Sequence, residues 1–175
     1  MFIKKFIFLI FIFNFFSFSY AEEKIAYIDM DLILSQSNAS ISLFSQLKKI
    51  ETTQLESLNK KEKILKDNEN KILSSKNILS NEEYVKKVNI FKKDLTNYQS
   101  KKKEIIRSFN SKQNNEIMRF IKLISPLINE YMDKNSISIL IEKKNIFIAK
   151  SNYDITKNIL EIINNEVKEF KILND

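Results

Sequence analysis

The chain has 175 residues, 29 of them basic and 22 acidic, and it contains no cysteine, histidine or glycine. This composition excludes disulfides, thiol nucleophiles, histidine acid–base pairs, the usual zinc sites and glycine-rich phosphate loops. Carboxylate pairs remain at Glu22-Glu23, at Glu82-Glu83 and at Asp67 with Glu69, but all lie in polar contexts, and adjacent residues on a helix point apart. We therefore expect a protein that is not an enzyme and holds neither metal nor cofactor.

The first 21 residues have the three parts of a secretory signal peptide. Lys4 and Lys5 precede an apolar run from Phe6 to Phe18, and Ser19-Tyr20-Ala21 places small residues at a cleavage site. The alternative is an uncleaved membrane anchor, but a run of about 13 residues is shorter than the ~20 that span a bilayer. The sequence predicts export with cleavage after Ala21.

Residues 40–134 carry the pattern of two long helices. The seven-residue repeat of Leu58, Leu65, Ile72 and Leu79 is followed by apolar residues at alternating steps of three and four, namely Tyr84, Val88, Phe91, Leu95, Tyr98, Ile105 and Phe109. Such a narrow stripe is typical of one helix packed along another. Ser80 followed by Glu83 forms the pattern of a capping box. We predict an antiparallel coiled-coil hairpin with its tip near residues 78–81.

The ends of this hairpin nearest the termini are more apolar than its tip. One arm carries Ile41, Phe44, Leu47 and Ile50, and the returning arm carries Ile117, Phe120, Ile121, Ile124, Leu127, Ile128 and Tyr131. Both arms are most apolar at the same end, which supports the antiparallel pairing. Pro126 either bends the returning helix or separates it from a further helix.

Residues 22–39 form the first part of a small body. Lys24 to Met30 is predicted to be a strand, and Asp31 is expected to cap a short helix from Leu32 to about Ser37. A break then leads to Ser40 as the N-cap of the first long helix. A single helix continuing from Asp31 is the alternative.

Residues 135–175 form the second part. Two β-branched runs, Ile137–Ile141 and Ile146–Ala149, are separated by four polar residues and predict a hairpin of strands. Asp154 is expected to cap a final helix that ends near Phe170, and the last five residues are expected to fray.

This small body is predicted to oligomerise. Its two pieces are too short to bury a large core alone, and three apolar strands leave open edges. A closed ring of subunits would project the arms from one end. The candidate oligomerisation residues are Ile25, Tyr27, Ile137, Ile139, Ile141 and Phe147.

The positive charge of the chain is concentrated on the arms. Residues 40–125 hold 19 basic and 10 acidic residues, whereas the rest of the chain after residue 21 holds 8 and 12. Any single lysine cluster is best explained as a solvated helix surface, but the summed asymmetry favours an acidic partner. Export and the scarcity of arginine disfavour nucleic acid, which leaves acidic lipids or acidic unfolded polypeptides. The leading contact candidates are Lys86, Lys87, Lys92 and Lys93, followed by Lys60, Lys61 and Lys63.

Three stretches resemble the Skp/OmpH-like periplasmic chaperones of Gram-negative bacteria. They are KIAYIDMDLIL from Lys24 to Leu34, the segment from Ile121 to Asn164, and within it the helix start Asp154-Ile155-Thr156. The resemblance implies a jellyfish-shaped homotrimer whose helical tentacles enclose unfolded outer-membrane proteins in the periplasm without ATP. The lipopolysaccharide site proposed for some members is not carried over to this chain, because its arginine- and lysine-rich cluster has no residue-by-residue match here.

The fold class expected is therefore α+β, with a β-rich body of three strands and short helices carrying one long helical hairpin. The function expected is that of a holdase chaperone. The rival functions are a structural coiled-coil envelope protein and an adaptor that binds a folded partner through the hairpin tip.

Overall fold

The computed structural model describes residues 24–173, so the predicted signal peptide lies outside the described residues. In chain order the elements are β1 (Lys24–Ile28), α1 (Met30–Gln36), α2 (Asn38–Ser74), α3 (Asn81–Lys134), β2 (Ile137–Glu142) and α4 (Thr156–Glu166). Two short 3₁₀ turns, Lys143–Asn145 and Ser151–Tyr153, lie between β2 and α4. The division of the chain into body and hairpin domains stays a prediction.

The two long helices form one hairpin. α2 has 37 residues and α3 has 54, which at about 1.5 Å per residue corresponds to lengths of roughly 55 and 80 Å. The predicted capping box at the start of α3 is confirmed. The amide of Glu83 donates to the Ser80 hydroxyl at 3.3 Å, and the Ser80 amide donates to the Glu83 carboxylate at 3.1 Å. This reciprocal pair stops the turn after α2 from continuing as helix and starts α3 at Asn81.

The arms meet along a thin apolar seam. Leu58 and Leu65 of α2 are buried against Tyr98 of α3, with Phe91, Leu95 and Ile105 partly buried around them. The Tyr98 hydroxyl donates to the Glu62 carboxylate across the hairpin at 2.9 Å. The predicted heptad positions therefore do join the arms, and most other arm residues face solvent.

The break between α1 and α2 is built on two buried serines. Ser37, and not Ser40, is the N-cap of α2, and its hydroxyl accepts from the Ser40 amide at 3.3 Å. The Ser40 hydroxyl in turn donates to the Ser37 carbonyl at 2.9 Å. α1 is likewise capped two residues earlier than predicted, by Asp29 and not Asp31. Both caps were placed too late because each segment offers two capping residues close together.

The sheet has two parallel strands, β1 and β2, with Ile25 opposite Ile139 and Tyr27 opposite Ile141. The predicted strand at Ile146–Ala149 is wrong for residues 24–173, since no ladder forms there. The 3₁₀ turn after β2 ends with the Ile146 amide donating to the Lys143 carbonyl at 3.1 Å. This turn ends the strand, and among the described residues the apolar run after it pairs with no strand.

The last helix begins near its predicted cap and ends earlier than expected. Asp154 accepts from the Thr156 amide at 2.9 Å, but α4 stops at Glu166 and Phe170 lies in an extended tail. α3 runs without interruption through Pro126, so the alternative of two separate helices is wrong.

The main core lies where both arm bases, β1, α1 and α4 converge. Its largest members belong to different elements, which ties the ends of the chain to the open end of the hairpin. The buried residues are Ala26, Ile28, Ile33, Ala39, Leu43, Leu47, Phe120, Ile124, Ile155, Ile159, Ile163 and Phe170.

Ser136 lies between α3 and β2 and has a φ of 56°. Among residues 24–173 it alone has a positive φ. A left-handed backbone costs a non-glycine residue about 1–2 kcal/mol, and this chain contains no glycine to relieve it. We therefore expect Ser136→Gly to raise the free energy of unfolding by about 1 kcal/mol, measured by chemical denaturation.

The matched control for this substitution is Ser138→Gly, in strand β2. There glycine relieves no strain and loosens an extended segment, so stability should fall by about 0.5–1 kcal/mol. Equal effects of the two substitutions would contradict the strain at Ser136.

Candidate functional site

The four lysines near the tip of the arms are all exposed but do not form one patch. Lys86 and Lys93 each follow a seam residue by two positions, which on a helix places them on the side away from the seam. Lys87 and Lys92 instead border the seam on its two sides. The arrangement surrounds the outer part of α3 with positive charge on several faces.

The lysines of the middle of α2 are arranged in the same way. Lys60 and Lys63 point away from the seam, and Lys61 borders it, while all three are exposed. Glu62 between them faces the seam and accepts the Tyr98 hydroxyl. The structure therefore brings neither lysine group together into a single binding site, and the contact role of all seven stays a prediction.

These seven ammonium groups differ from those of Lys143 and Lys144 in the body. None of the seven forms an ion pair or a side-chain hydrogen bond with residues 24–173, whereas Lys143 contacts Asp29 at 2.8 Å and Lys144 contacts Glu142 at 2.6 Å. Charges without internal partners keep their hydration and are available to an external acidic group.

A second feature of the tip was missed from the sequence. Leu73, Ile78, Val85 and Ile90 are large apolar residues that lie outside the seam and are exposed, Ile78 by 83%. A shallow groove of about 200 Å³ between the arms combines the apolar Ile72, Ile90 and Phe91 with Lys71 and Lys87. These residues could have been found by counting the apolar residues that fall off the heptad.

The body carries an apolar face of its own. Ile25 and Ile139 are neighbours on the outer side of the sheet and are each half exposed, while Phe147 is fully exposed at 103%. An adjoining groove of about 430 Å³ is lined by Tyr27, Ile141, Ile146, Ile148 and Tyr153 together with neighbouring residues.

The structure separates the six predicted oligomerisation residues by exposure. Ile25, Ile139 and Phe147 face solvent, Ile137 and Ile141 are half buried, and Tyr27 is buried. Their proposed role stays a prediction.

Two carboxylates have pKa values below their ordinary range for local reasons. The hydrogen bond from Lys143, followed by the Leu32 amide, lowers the pKa of Asp29. The Ser80 hydroxyl and amide lower the pKa of Glu83 at the hairpin tip. Burial in the seam, with the bond to Glu62, raises the pKa of the Tyr98 hydroxyl. All three are explained by structural contacts.

Residues 24–173 contain no group of three or more carboxylate, histidine or cysteine side chains placed to hold a metal ion. Within the same residues, no helix combines the length and apolarity needed to cross a bilayer.

The fold and its surfaces define a hairpin-armed protein whose small body exposes an apolar face and whose arms expose positive charge. Residues 24–163 match the family described as Outer membrane protein (OmpH-like). The chain belongs to this family.

Among solved structures, the fold is similar to that of a candidate outer membrane chaperone (OmpH-like) from Caulobacter crescentus CB15. The TM-score is 0.76 at 12% sequence identity, with 85% of this chain and 88% of that chain covered. No curated protein matches the sequence significantly. The resemblance to the Skp/OmpH-like family that was inferred from the sequence is thereby confirmed.

Asp29 links the two parts of the body, because it caps α1 and pairs with Lys143 beyond β2. Its pKa is lower in the folded chain than the ordinary 3.8, so its stabilisation is present above that pH and is lost as the pH falls through the folded pKa. Asp29→Asn keeps a capping side chain and removes the charge, and should cost about 1 kcal/mol at pH 7.

The measurement is chemical denaturation of both chains at several pH values. The difference between their free energies of unfolding should shrink as the pH falls below 3.8 and the Asp29 carboxyl of the folded wild-type chain becomes protonated. Asp31→Asn, in the exposed first turn of α1, is the control and should change the free energy of unfolding little at any of these pH values. A difference that stays constant down to pH 2 would be evidence against the ion pair.

Proposed function

We propose that the protein is an ATP-independent holdase chaperone of the periplasm. Its clients are unfolded outer-membrane proteins, which it keeps from aggregating in a cavity between the arms of several subunits. Membership of the OmpH-like family supports a chaperone role, and the predicted signal peptide supports export. The proposal also makes it a binding protein and not an enzyme.

The observation that carries the proposal is the composition of the outer arms. Lysines without internal partners alternate there with exposed Leu73, Ile78, Val85 and Ile90. An unfolded polypeptide exposes apolar side chains and, when acidic, negative charge, so both kinds of contact have a counterpart. Their scatter over several helix faces suits a client without fixed shape better than one folded partner.

The proposed mechanism is passive. Each contact is weak, because an exposed lysine or aliphatic side chain loses little by staying in water. Several arms acting on one chain raise the effective concentration of the next contact, and the affinity arises from their number. Such a complex needs no nucleotide to release its client, since each contact dissociates separately.

The proposed assembly is a homotrimer joined through the body. The very small body exposes Phe147 and Ile148 together with the paired Ile25 and Ile139, and exposed apolar groups of this size usually mark protein interfaces. The backbone at Ile146 is already extended, so the run that has no partner in one chain is suited to pair with a second copy. Acidic membrane lipids are a further possible surface for the basic arms.

The test of the function is dilution of a denatured, acidic β-barrel protein with and without this protein, followed by light scattering. Molar excess of trimer should suppress the scattering in the absence of ATP. Lys86→Glu with Lys93→Glu should weaken the suppression several-fold at low salt and less at high salt, because screening shortens the range of the charges.

The matched control reverses two exposed lysines of the body that lie outside the apolar groove, Lys157→Glu and Lys168→Glu. It changes the net charge equally and should leave capture unaltered. Unchanged aggregation in the presence of the wild-type chain would refute the holdase function. Equal loss in both double variants would mean that only the net charge acts, and not its position on the arms.

The trimer is tested separately by multi-angle light scattering. The wild-type chain should have three times the mass of one chain, and Ile139→Lys with Phe147→Lys should give monomers, because two charges then lie in the apolar interface. Ile78→Lys at the hairpin tip is the control and should leave the mass unchanged. A monomeric wild-type chain would contradict the assembly while leaving the fold intact.

A further inference from the structure

The C-terminal tail is bound where fraying was expected. After α4 ends at Glu166, the chain runs back along the base of the hairpin, and Phe170 is only 5% exposed. Residues Phe170–Leu173, here named the clasp, contact both long helices mainly through their backbone groups. No sequence pattern predicts these contacts, because the partners of the clasp lie more than 50 residues away along the chain.

On the α2 side the clasp is held by Gln46 and Ser42. The Gln46 side-chain amide donates to the Phe170 carbonyl at 2.6 Å and accepts from the Ile172 amide at 3.2 Å. The Ser42 hydroxyl donates to the same Phe170 carbonyl at 3.2 Å. A single glutamine therefore contacts two positions of the extended tail, as a neighbouring strand would.

On the α3 side the clasp is held by Glu116 and Arg119. The Glu116 carboxylate is buried and accepts from the Leu173 amide at 3.2 Å. The Arg119 guanidinium pairs with Glu116 at 3.0 Å, donates to the Lys171 carbonyl and lies 4.4 Å from the centre of the Phe170 ring. Lys112 donates to the Leu173 carbonyl at 2.9 Å. A buried ion pair needs such additional partners to offset its loss of water.

The clasp contacts the two arms at the body end of an interruption in their packing. A cleft of about 510 Å³ separates the main core from the seam around Leu65 and Tyr98, and its walls include Leu47, Phe109 and Gln113. Gln46 and Lys112 are the sequence neighbours of two of these residues. Outward from the cleft, α2 and α3 are joined by the narrow seam, so this is the point at which the arm can change direction against the body.

We propose that the clasp restrains this point and sets how far the arm swings relative to the body. While Gln46 and the Glu116–Arg119 pair hold the same four residues of tail, the bases of α2 and α3 stay fixed to each other and to α4. Without the clasp, the arm bases beside the cleft keep the apolar packing of the main core and lose these hydrogen bonds. The proposal concerns the position of the arm and stands independently of what the arm binds.

The test uses the full chain with two introduced cysteines, Ile78→Cys at the tip and Lys157→Cys on α4. Because the chain contains no cysteine of its own, spin labels attach only there. Labelled protein is diluted into unlabelled protein, and the distance distribution is measured by pulsed electron spin resonance. Deletion of residues 171–175 keeps Phe170 in the core and removes the backbone groups that bond Glu116, Arg119 and Lys112 of α3 and one of the two that bond Gln46. It should broaden the distribution about twofold, as expected for a released local contact.

Glu169→Ala, on the exposed side of the tail, is the matched control and should leave the distribution unaltered. Gln46→Ala with the full tail should broaden it in the same direction, which covers the case in which the deletion impairs folding, judged by circular dichroism. Distributions of the deletion and of Gln46→Ala that both overlay the intact chain would overturn the proposal. So would a lower melting temperature without a change in distance, since the tail would then only stabilise the body.

Discussion

The structure depends on the convergence of distant parts of the chain at the open end of the hairpin. β1 pairs with β2, and the intervening residues are almost entirely the two arms. Phe120 and Ile124 from one arm, Leu43 and Leu47 from the other, and Ile159 and Ile163 from α4 fill the space beneath this sheet. Neither strand nor either arm base could bury its apolar side without the others, because a two-stranded sheet alone is marginal in water.

The division of labour between core and arms follows from this convergence. Most of the large buried side chains lie in the main core, where the arm bases meet the body, so that is where the free energy of folding is concentrated. The arms are held by a seam of three buried residues and one cross-arm hydrogen bond. This arrangement leaves most of the arm surface for other molecules, at the cost of low local stability.

The sequence predicts those elements that depend on local patterns. It does not predict elements whose structure depends on contacts between distant segments. The heptad of Leu58 and Leu65 and the Ser80–Glu83 capping box specify the hairpin, because their partners are near in sequence or repeat regularly. The run at Ile146–Ala149 has high strand propensity, but strand formation requires a partner, and within residues 24–173 β2 pairs with β1 alone. The exposed apolar residues of the tip do not follow the heptad repeat, so the repeat does not predict them. The contact of Gln46 with the tail joins segments that are distant in sequence, and no local pattern indicates it.

The parallel pairing of β1 with β2 also has a consequence for the order of folding. β1 is synthesised first, yet its partner follows more than a hundred residues later, so the pairing has a high contact order and a large loop-closure cost. The hairpin forms from two segments that are adjacent in the chain, and the capping box of Ser80 and Glu83 starts its second helix through local contacts. We expect the arms to form before the body, so that the returning helix delivers β2 to β1. The arm then serves as the template on which the body assembles.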